Sequence, residues 1–151
     1  MDRVKTPAEL CFQKDLKAVE GLVFLTITKR EPTSIEFLFH FTEGIYEGRE
    51  LPFRLSVKPS YPFEPPKIHS VIRKLFHPSV CPNTGAVCLN ILRLDWRPTL
   101  SLEAVLVSLF CLFTDDTLID AEDCLNQAAG EMYLNNCENF KRETLMSVSL
   151  V

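Results

Sequence analysis

Apolar and polar positions alternate along residues 35–41, where Ile35, Phe37, Phe39 and Phe41 interleave with Glu36, Leu38 and His40. The same alternation runs through 52–58, with Phe53, Leu55 and Val57 set against Arg54, Ser56 and Lys58. A period of two predicts half-buried strands of an antiparallel sheet. A β-rich run at 22–28 predicts a strand before them, and 67–72 a shorter one after. The connectors TKREPTS and TEGIYEGRE carry the glycines, proline and charges of loops. Ahead of the strands, Phe12, Leu16 and Val19 recur at helical spacing, with Lys14, Lys17 and Glu20 on the other face. Thr6, Pro7 and Glu9 form a helix start with a capping box, and Gly21 a stop. Beyond the strands, 101–113 reads as a helix with Leu102, Val105, Leu106, Leu109 and Phe113 on one side. Ala129, Tyr133, Cys137 and Phe140 sketch another helix. Helix, antiparallel meander, irregular stretch, then helices is the order of an α+β domain. At 151 residues, without repeat or linker, the expectation is one domain over 1–151.

Charge narrows the partners. The formal net charge of -4 argues against nucleic acid, whose phosphates need a concentrated positive surface. No run of about 18 apolar residues exists, so no membrane span is expected, and MDRVKTPAEL lacks the apolar core of a secretory signal. Six cysteines are present: Cys11, Cys81, Cys88, Cys111, Cys124 and Cys137. Several fall within apolar periodic segments, where a thiol packs as a small hydrophobe. They are read as free thiols in a reducing compartment, the cytoplasm and nucleus, with Cys11 and Cys111 as buried structural thiols.

The chemistry concentrates where periodicity fails. Residues 59–66 read PSYPFEPP, and 75–105 read LFHPSVCPNTGAVCLNILRLDWRPTLSLEAV. A long non-periodic stretch inside a small domain is often functional. His77-Pro78, Gly85, Cys88-Leu89-Asn90-Ile91-Leu92 and Trp96-Arg97-Pro98 follow one another in the order found in the active-site region of ubiquitin-conjugating enzymes. Tyr61-Pro62-Phe63-Glu64-Pro65-Pro66-Lys67 resembles that family's proline-rich loop. The likeness covers nearly the whole chain, and Arg93, Asp95 and Trp96 bring it closest to the neddylation branch. That branch often carries an N-terminal docking peptide. Only Met1 to Lys5 precede the first helix here, so that feature is read as absent or removed.

The resemblance implies an acyl transferase with no cofactor of its own, because activation by ATP happens on another protein. Cys88 would accept a ubiquitin-like modifier from an activating enzyme as a thioester and release it to a substrate lysine, assisted by a RING-type or cullin-associated ligase. A thiolate is the attacking species. The second step is harder, since a lysine amine with a pKa near ~10.4 must lose a proton to attack. The family's acidic residue for that task maps onto Asp123, but this loop is longer than usual and lacks the family's prolines, so Asp116 and Asp120 stay open. An asparagine normally follows His-Pro, to hold the active-site loop or the oxyanion; here the residue is Ser79. Three readings compete: Ser79 or a backbone amide substitutes, Asn83 swings in, or aminolysis is impaired while charging is intact. His77 is expected to hydrogen-bond the local backbone.

By the same resemblance, Phe63, Arg97, Pro98 and Thr99 form the ligase-docking surface, an exposed aromatic on a stiff loop being a good anchor. Lys5, Lys14 and Lys17 would face the activating enzyme, and Val107, on the outer side of its helix, the donor modifier. A monomer is the default. Zinc on His77, Cys81 and Cys88 is disfavoured for want of a fourth ligand, so no metal is expected; Cys81 is either incidental or a disulfide partner of Cys88 under oxidation. The rival readings are ubiquitin as cargo, a catalytically weak binding variant, and a cysteine hydrolase pairing Cys88 with His40, His69 or His77.

Overall fold

The structure, a computed structural model, describes residues 3–72, 74–120 and 124–149. Helix α1 (Pro7–Val19) begins as its sequence dictates. The Glu9 N–H donates to Thr6 Oγ1 at 3.2 Å, and the Thr6 N–H donates back to the Glu9 carboxylate at 3.1 Å. Arg3 holds the same carboxylate at 2.7 Å, a cation that draws the Glu9 pKa down. Gly21 does not act as a left-handed stop. The helix closes on Glu20 in right-handed geometry, and the glycines with positive φ lie elsewhere.

Four antiparallel strands follow in the order β1-β2-β3-β4: β1 (Leu25–Glu31), β2 (Ser34–His40), β3 (Glu50–Ser56) and β4 (Lys67–Ser70). β1 is shifted from its predicted span of 22–28. Its end, Lys29-Arg30-Glu31, pairs with Glu36, Ile35 and Ser34 although its charges resemble a loop. The physical reason is position: β1 is an edge, and exposed charges on an edge discourage pairing with other chains. The inward side chains Ile35, Phe37, Phe39, Phe53 and Leu55 are almost wholly buried. They pack on α2 (Leu102–Thr114), with Phe53 and Phe113 rings 5.1 Å apart and Phe39 and Phe110 rings 5.4 Å apart. α2 buries Leu102, Val105, Leu106, Leu109 and Phe113, the side its spacing predicts.

The C-terminal part holds two helices, not one: α3 (Gln127–Asn135) and α4 (Cys137–Ser149). Asn136 breaks the run, its side chain accepting the Asn139 N–H at 3.1 Å and so starting a new helix. Cys137 consequently lies exposed rather than in an apolar stripe. Ala129 and Phe140 are fully buried. α4 also fixes the entry to the irregular stretch: Thr144 donates to the Phe76 carbonyl and the Phe76 N–H to Ser147, each at 3.0 Å.

Candidate active site around Cys88

The irregular stretch contains a small hairpin. Val80 and Val87 pair across it, Cys81 N–H donates to Ala86 O at 2.8 Å, and Cys88 N–H to Ser79 O at 2.8 Å. Side chains alternate across paired extended backbone. Val80 and Val87 are buried beneath the hairpin, so Ser79, Cys81, Ala86 and Cys88 share its outer face. The turn needs Gly85: its φ is +76°, and a Cβ there would stand 2.9 Å from the Ser70 carbonyl oxygen. Two further bonds weld the hairpin to β4, Ser70 N–H to Gly85 O at 2.8 Å and Val87 N–H to Ile68 O at 2.9 Å. Cys88 thus sits half-buried at the edge of a rigid sheet.

His77 works from below. Its Nδ1 accepts the Ser79 N–H at 3.0 Å, and its ring lies 4.6 Å from that of Phe113. Burial pushes its pKa down to about 3, so the ring is neutral near pH 7 and serves as a fixed acceptor. It is therefore a positioning residue. The Ser79 and Cys88 amides are both engaged, one by His77 and one by Ser79 O. Neither is left to bind an oxyanion, which removes the backbone-amide option at those two positions.

Two cavities meet at Cys88. The first, about 370 Å³, runs between the hairpin and the outer side of α2 and is lined by Ser79, Cys88, Asn90, Val107, Cys111, Leu118 and Asp120. Val107 is 38% exposed there, in keeping with its predicted outward position. Cys111 corrects an expectation: it is exposed rather than a buried structural thiol. One helical turn beyond Val107, it shares that outer side, a spacing that was legible in the sequence. Cys11 is only half-buried, its thiol pushed up first by burial and then by Asp15. The second cavity, about 450 Å³, opens on the β4 side and includes Lys67, His69, Leu89 and Arg93 beside Cys88.

The acidic candidates separate. Asp123 lies outside the described residues. Asp120 lines the first cavity together with Cys88 and Ser79. Asp116 is turned away into a small depression with Gly44, Thr114 and Lys141, and its carbonyl accepts the Tyr133 hydroxyl at 2.9 Å. The connector reaches the site because Leu125 and Asn126 donate their N–H groups to Pro78 O, at 2.9 and 3.1 Å. Asn83 does not swing in. It is exposed in the hairpin turn and lines a different cavity, with Ser70, Lys74 and Gly85. Hydrogen bonds from the Thr84 hydroxyl, the Thr84 N–H and the Asn83 N–H draw the neighbouring Cys81 thiol pKa down. Among the described residues no group of three or more His, Cys, Asp or Glu is placed to hold a metal. Of the histidines weighed for a hydrolytic pair, His40 is engaged with Thr26 and Glu50 on the sheet, and His69 shares the second cavity with Cys88.

Away from the thiol, Phe63 is 78% exposed, and Arg97, Pro98 and Thr99 are exposed too. The Trp96 indole N–H donates to Pro62 O at 3.0 Å, which ties the two loops into one surface. Leu94, 89% exposed, escaped the sequence reading because a lone leucine in a loop carries no periodic signal. Lys5, Lys14 and Lys17 are exposed, the last two three residues apart on the outer face of α1.

Comparison with known proteins agrees with this layout. A family model described as ubiquitin-conjugating enzyme matches residues 13–148. The chain is 39% identical over 150 residues to the NEDD8-conjugating enzyme UBC12 of Yarrowia lipolytica, covering 95% of this chain and 79% of that protein. It is 36% identical over 128 residues to the NEDD8-conjugating enzyme ubc12 of Schizosaccharomyces pombe, covering 83% and 70%. Among solved structures, Ubc12 of S. cerevisiae superposes with a TM-score of 0.80 at 28% identity, covering 94% of this chain and 79% of that one. The helix–meander–hairpin–helix order, the half-buried cysteine at the hairpin edge and a match across almost the whole length lead to one conclusion: the chain belongs to the ubiquitin-conjugating enzyme family, transferases that act through a thioester intermediate.

Proposed function

We propose that Cys88 accepts the C-terminal acyl group of NEDD8 and transfers it to a lysine of another protein. The observation that carries this reading is the placement of Cys88, half-buried on the outer face of a braced hairpin where two cavities converge. In charging, the Cys88 thiolate attacks the thioester carbonyl held by the activating enzyme. A new C–S bond forms and the activating enzyme's thiolate leaves. In discharge, an uncharged lysine amine attacks the same carbon. The C–N bond forms, the C–S bond breaks, Cys88 leaves as thiolate, and the amine's surplus proton passes to a nearby base.

Asp120 is the described carboxylate in the first cavity and is our choice to orient the amine and take or relay that proton. The oxyanion needs a donor that neither hairpin amide supplies. The Ser79 hydroxyl and the Asn90 carboxamide line the same cavity. The Asn90 oxygen accepts from Arg93 at 3.3 Å, which leaves its NH₂ group as donor. Val107 and its neighbours on α2 receive the modifier, Phe63 with Arg97–Thr99 the ligase, and Lys5, Lys14 and Lys17 the activating enzyme. An acceptor thiol must stay reduced to work, which favours the cytoplasm and nucleus. The cargo assignment draws support from the UBC12 relatives. Charging assays with NEDD8 and with ubiquitin, each with its own activating enzyme, test it. Faster thioester formation with NEDD8 is expected, and a preference for ubiquitin would overturn the assignment.

A further inference from the structure

A side chain as exposed as Phe63 does not hold its own place, so its position is set by its neighbours in the loop over residues 58–66. The bonds within that loop are local. Tyr61 N–H donates to Lys58 O at 2.9 Å, Phe63 N–H to Ser60 O at 2.8 Å, and Lys58 pairs with Glu64 at 3.5 Å. Among the described residues, two polar bonds tie the loop to distant parts of the chain, and both act next to Phe63. One is the Trp96 indole N–H to Pro62 O. The other runs from the Tyr61 hydroxyl to Asp15 Oδ2 at 2.6 Å, across 46 residues of sequence.

The Asp15 bond is well built. Asp15 stands on α1, a helix fixed in the core by Phe12, Leu16 and Val19. The Cys11 thiol, one turn earlier, donates to the same oxygen at 3.7 Å. Tyr61 is buried, its ring edge-on to Phe12 with centroids 6.3 Å apart and tilted against Trp96 at 6.4 Å. Burial, and then the bond to Asp15, push the phenol pKa up, so the hydroxyl keeps its proton and stays a donor. Ring contacts are tolerant of sliding, whereas a hydroxyl-to-carboxylate bond of this length is directional and among the stronger kinds. It therefore sets how deep Tyr61 sits, and with it where Phe63 emerges.

We propose that Asp15 is a positioning residue for ligase-stimulated transfer: through Tyr61 it holds Phe63 in the pose that a ligase binds. The inference rests on the reading of Phe63 as the ligase anchor and adds the group that sets it. Its physical content is preorganisation, since a loop already held in its bound shape loses less freedom on association. The effect belongs to ligase affinity and not to the acyl transfer itself, because Asp15 lines neither cavity at Cys88.

Single-turnover discharge of the Cys88 thioester onto free lysine, measured while a RING-type ligase is titrated to saturation, tests the proposal. Asp15→Ala should raise the half-saturating ligase concentration about three- to tenfold, the scale of one hydrogen bond. The rate at saturation, unassisted discharge and charging should stay as in the parent. Tyr61→Phe should match Asp15→Ala, and Asp15→Asn, whose amide oxygen can accept the hydroxyl, should restore most of the affinity. The double variant of Asp15→Ala with Tyr61→Phe should be no worse than either alone, the mark of a shared interaction. An unchanged half-saturating concentration, losses that add in the double variant, or a lower rate at saturation would overturn the proposal. If Phe63→Ala itself leaves ligase stimulation intact, the anchor reading fails instead, and backbone order parameters of the uncharged protein decide. Asp15→Ala should lower them at the Tyr61, Phe63 and Glu64 amides, and values equal to the parent's would sink the idea.

Discussion

At the scale of single residues, the site is organised by which polar atoms are already in use. His77 gives its Nδ1 to Ser79, so the ring orients the hairpin rather than moving protons. This has a pH consequence. An unfolded histidine takes up a proton near pH ~6.5, whereas native His77 does so only at about 3. Between those values the unfolded chain binds more protons, so stability falls as pH drops through the window and is regained above it. The slope contributed is at most about 1.4 kcal/mol per pH unit. Urea midpoints measured from pH 7 to 5 should fall less steeply in His77→Gln than in the parent, and equal slopes would show that His77 does not carry the effect. Ser79 supports a second prediction. With the hairpin amides engaged, Ser79→Asn adds a carboxamide to the cavity that already holds Asn90 and Asp120. Discharge onto lysine should rise several-fold while charging stays constant, and an unchanged discharge rate would mean that serine and Asn90 already suffice. Asp120→Ala should slow discharge at neutral pH more than Asp116→Ala, because only Asp120 shares the cavity with Cys88. Much of this residue layer was legible in the sequence. The cysteine, the histidine and outward Val107 follow from motif order and helical spacing. Cys111 was misread because a thiol in an apolar helix looks like core, although its i+4 relation to Val107 puts it on the surface.

At the scale of elements, the hairpin at 79–88 is what turns a thiol into a site. Its dependence on Gly85 is steric and conformational together, with φ at +76° and backbone 2.9 Å from where a Cβ would be. Gly85→Ala should cost about 1–3 kcal/mol, the usual cost of holding a non-glycine residue in left-handed backbone. Chemical denaturation measures this directly, and a variant as stable as the parent would show that the turn relaxes freely. Alternation in 35–41 and 52–58 predicted β2 and β3 to within a residue or two, because one face of each is buried in the aromatic core. β1 was displaced because charges on an edge strand read as loop. The split between α3 and α4 depends on one capping asparagine, a signal weaker than the apolar spacing that runs through it.

At the scale of the whole molecule, the candidate surfaces occupy separate regions: lysines on and before α1, Phe63 with Arg97–Thr99 on the tied loops, and the two cavities that meet at Cys88. A separable partner surface predicts a separable defect. Phe63→Ala should leave charging and unassisted discharge intact while cutting ligase-stimulated discharge at least about fivefold, as loss of an exposed aromatic anchor does. Equal losses with and without ligase would place Phe63 in loop packing instead. The central claim is that Cys88 carries the acyl group, and the most direct test is to mix protein, activating enzyme, NEDD8 and ATP and follow the product on a non-reducing gel. A shifted band that thiol reductant removes, and that becomes resistant to reductant in Cys88→Ser as an oxygen ester, is the predicted result. A reductant-sensitive band that persists in Cys88→Ser, or no band from the parent protein, would contradict it.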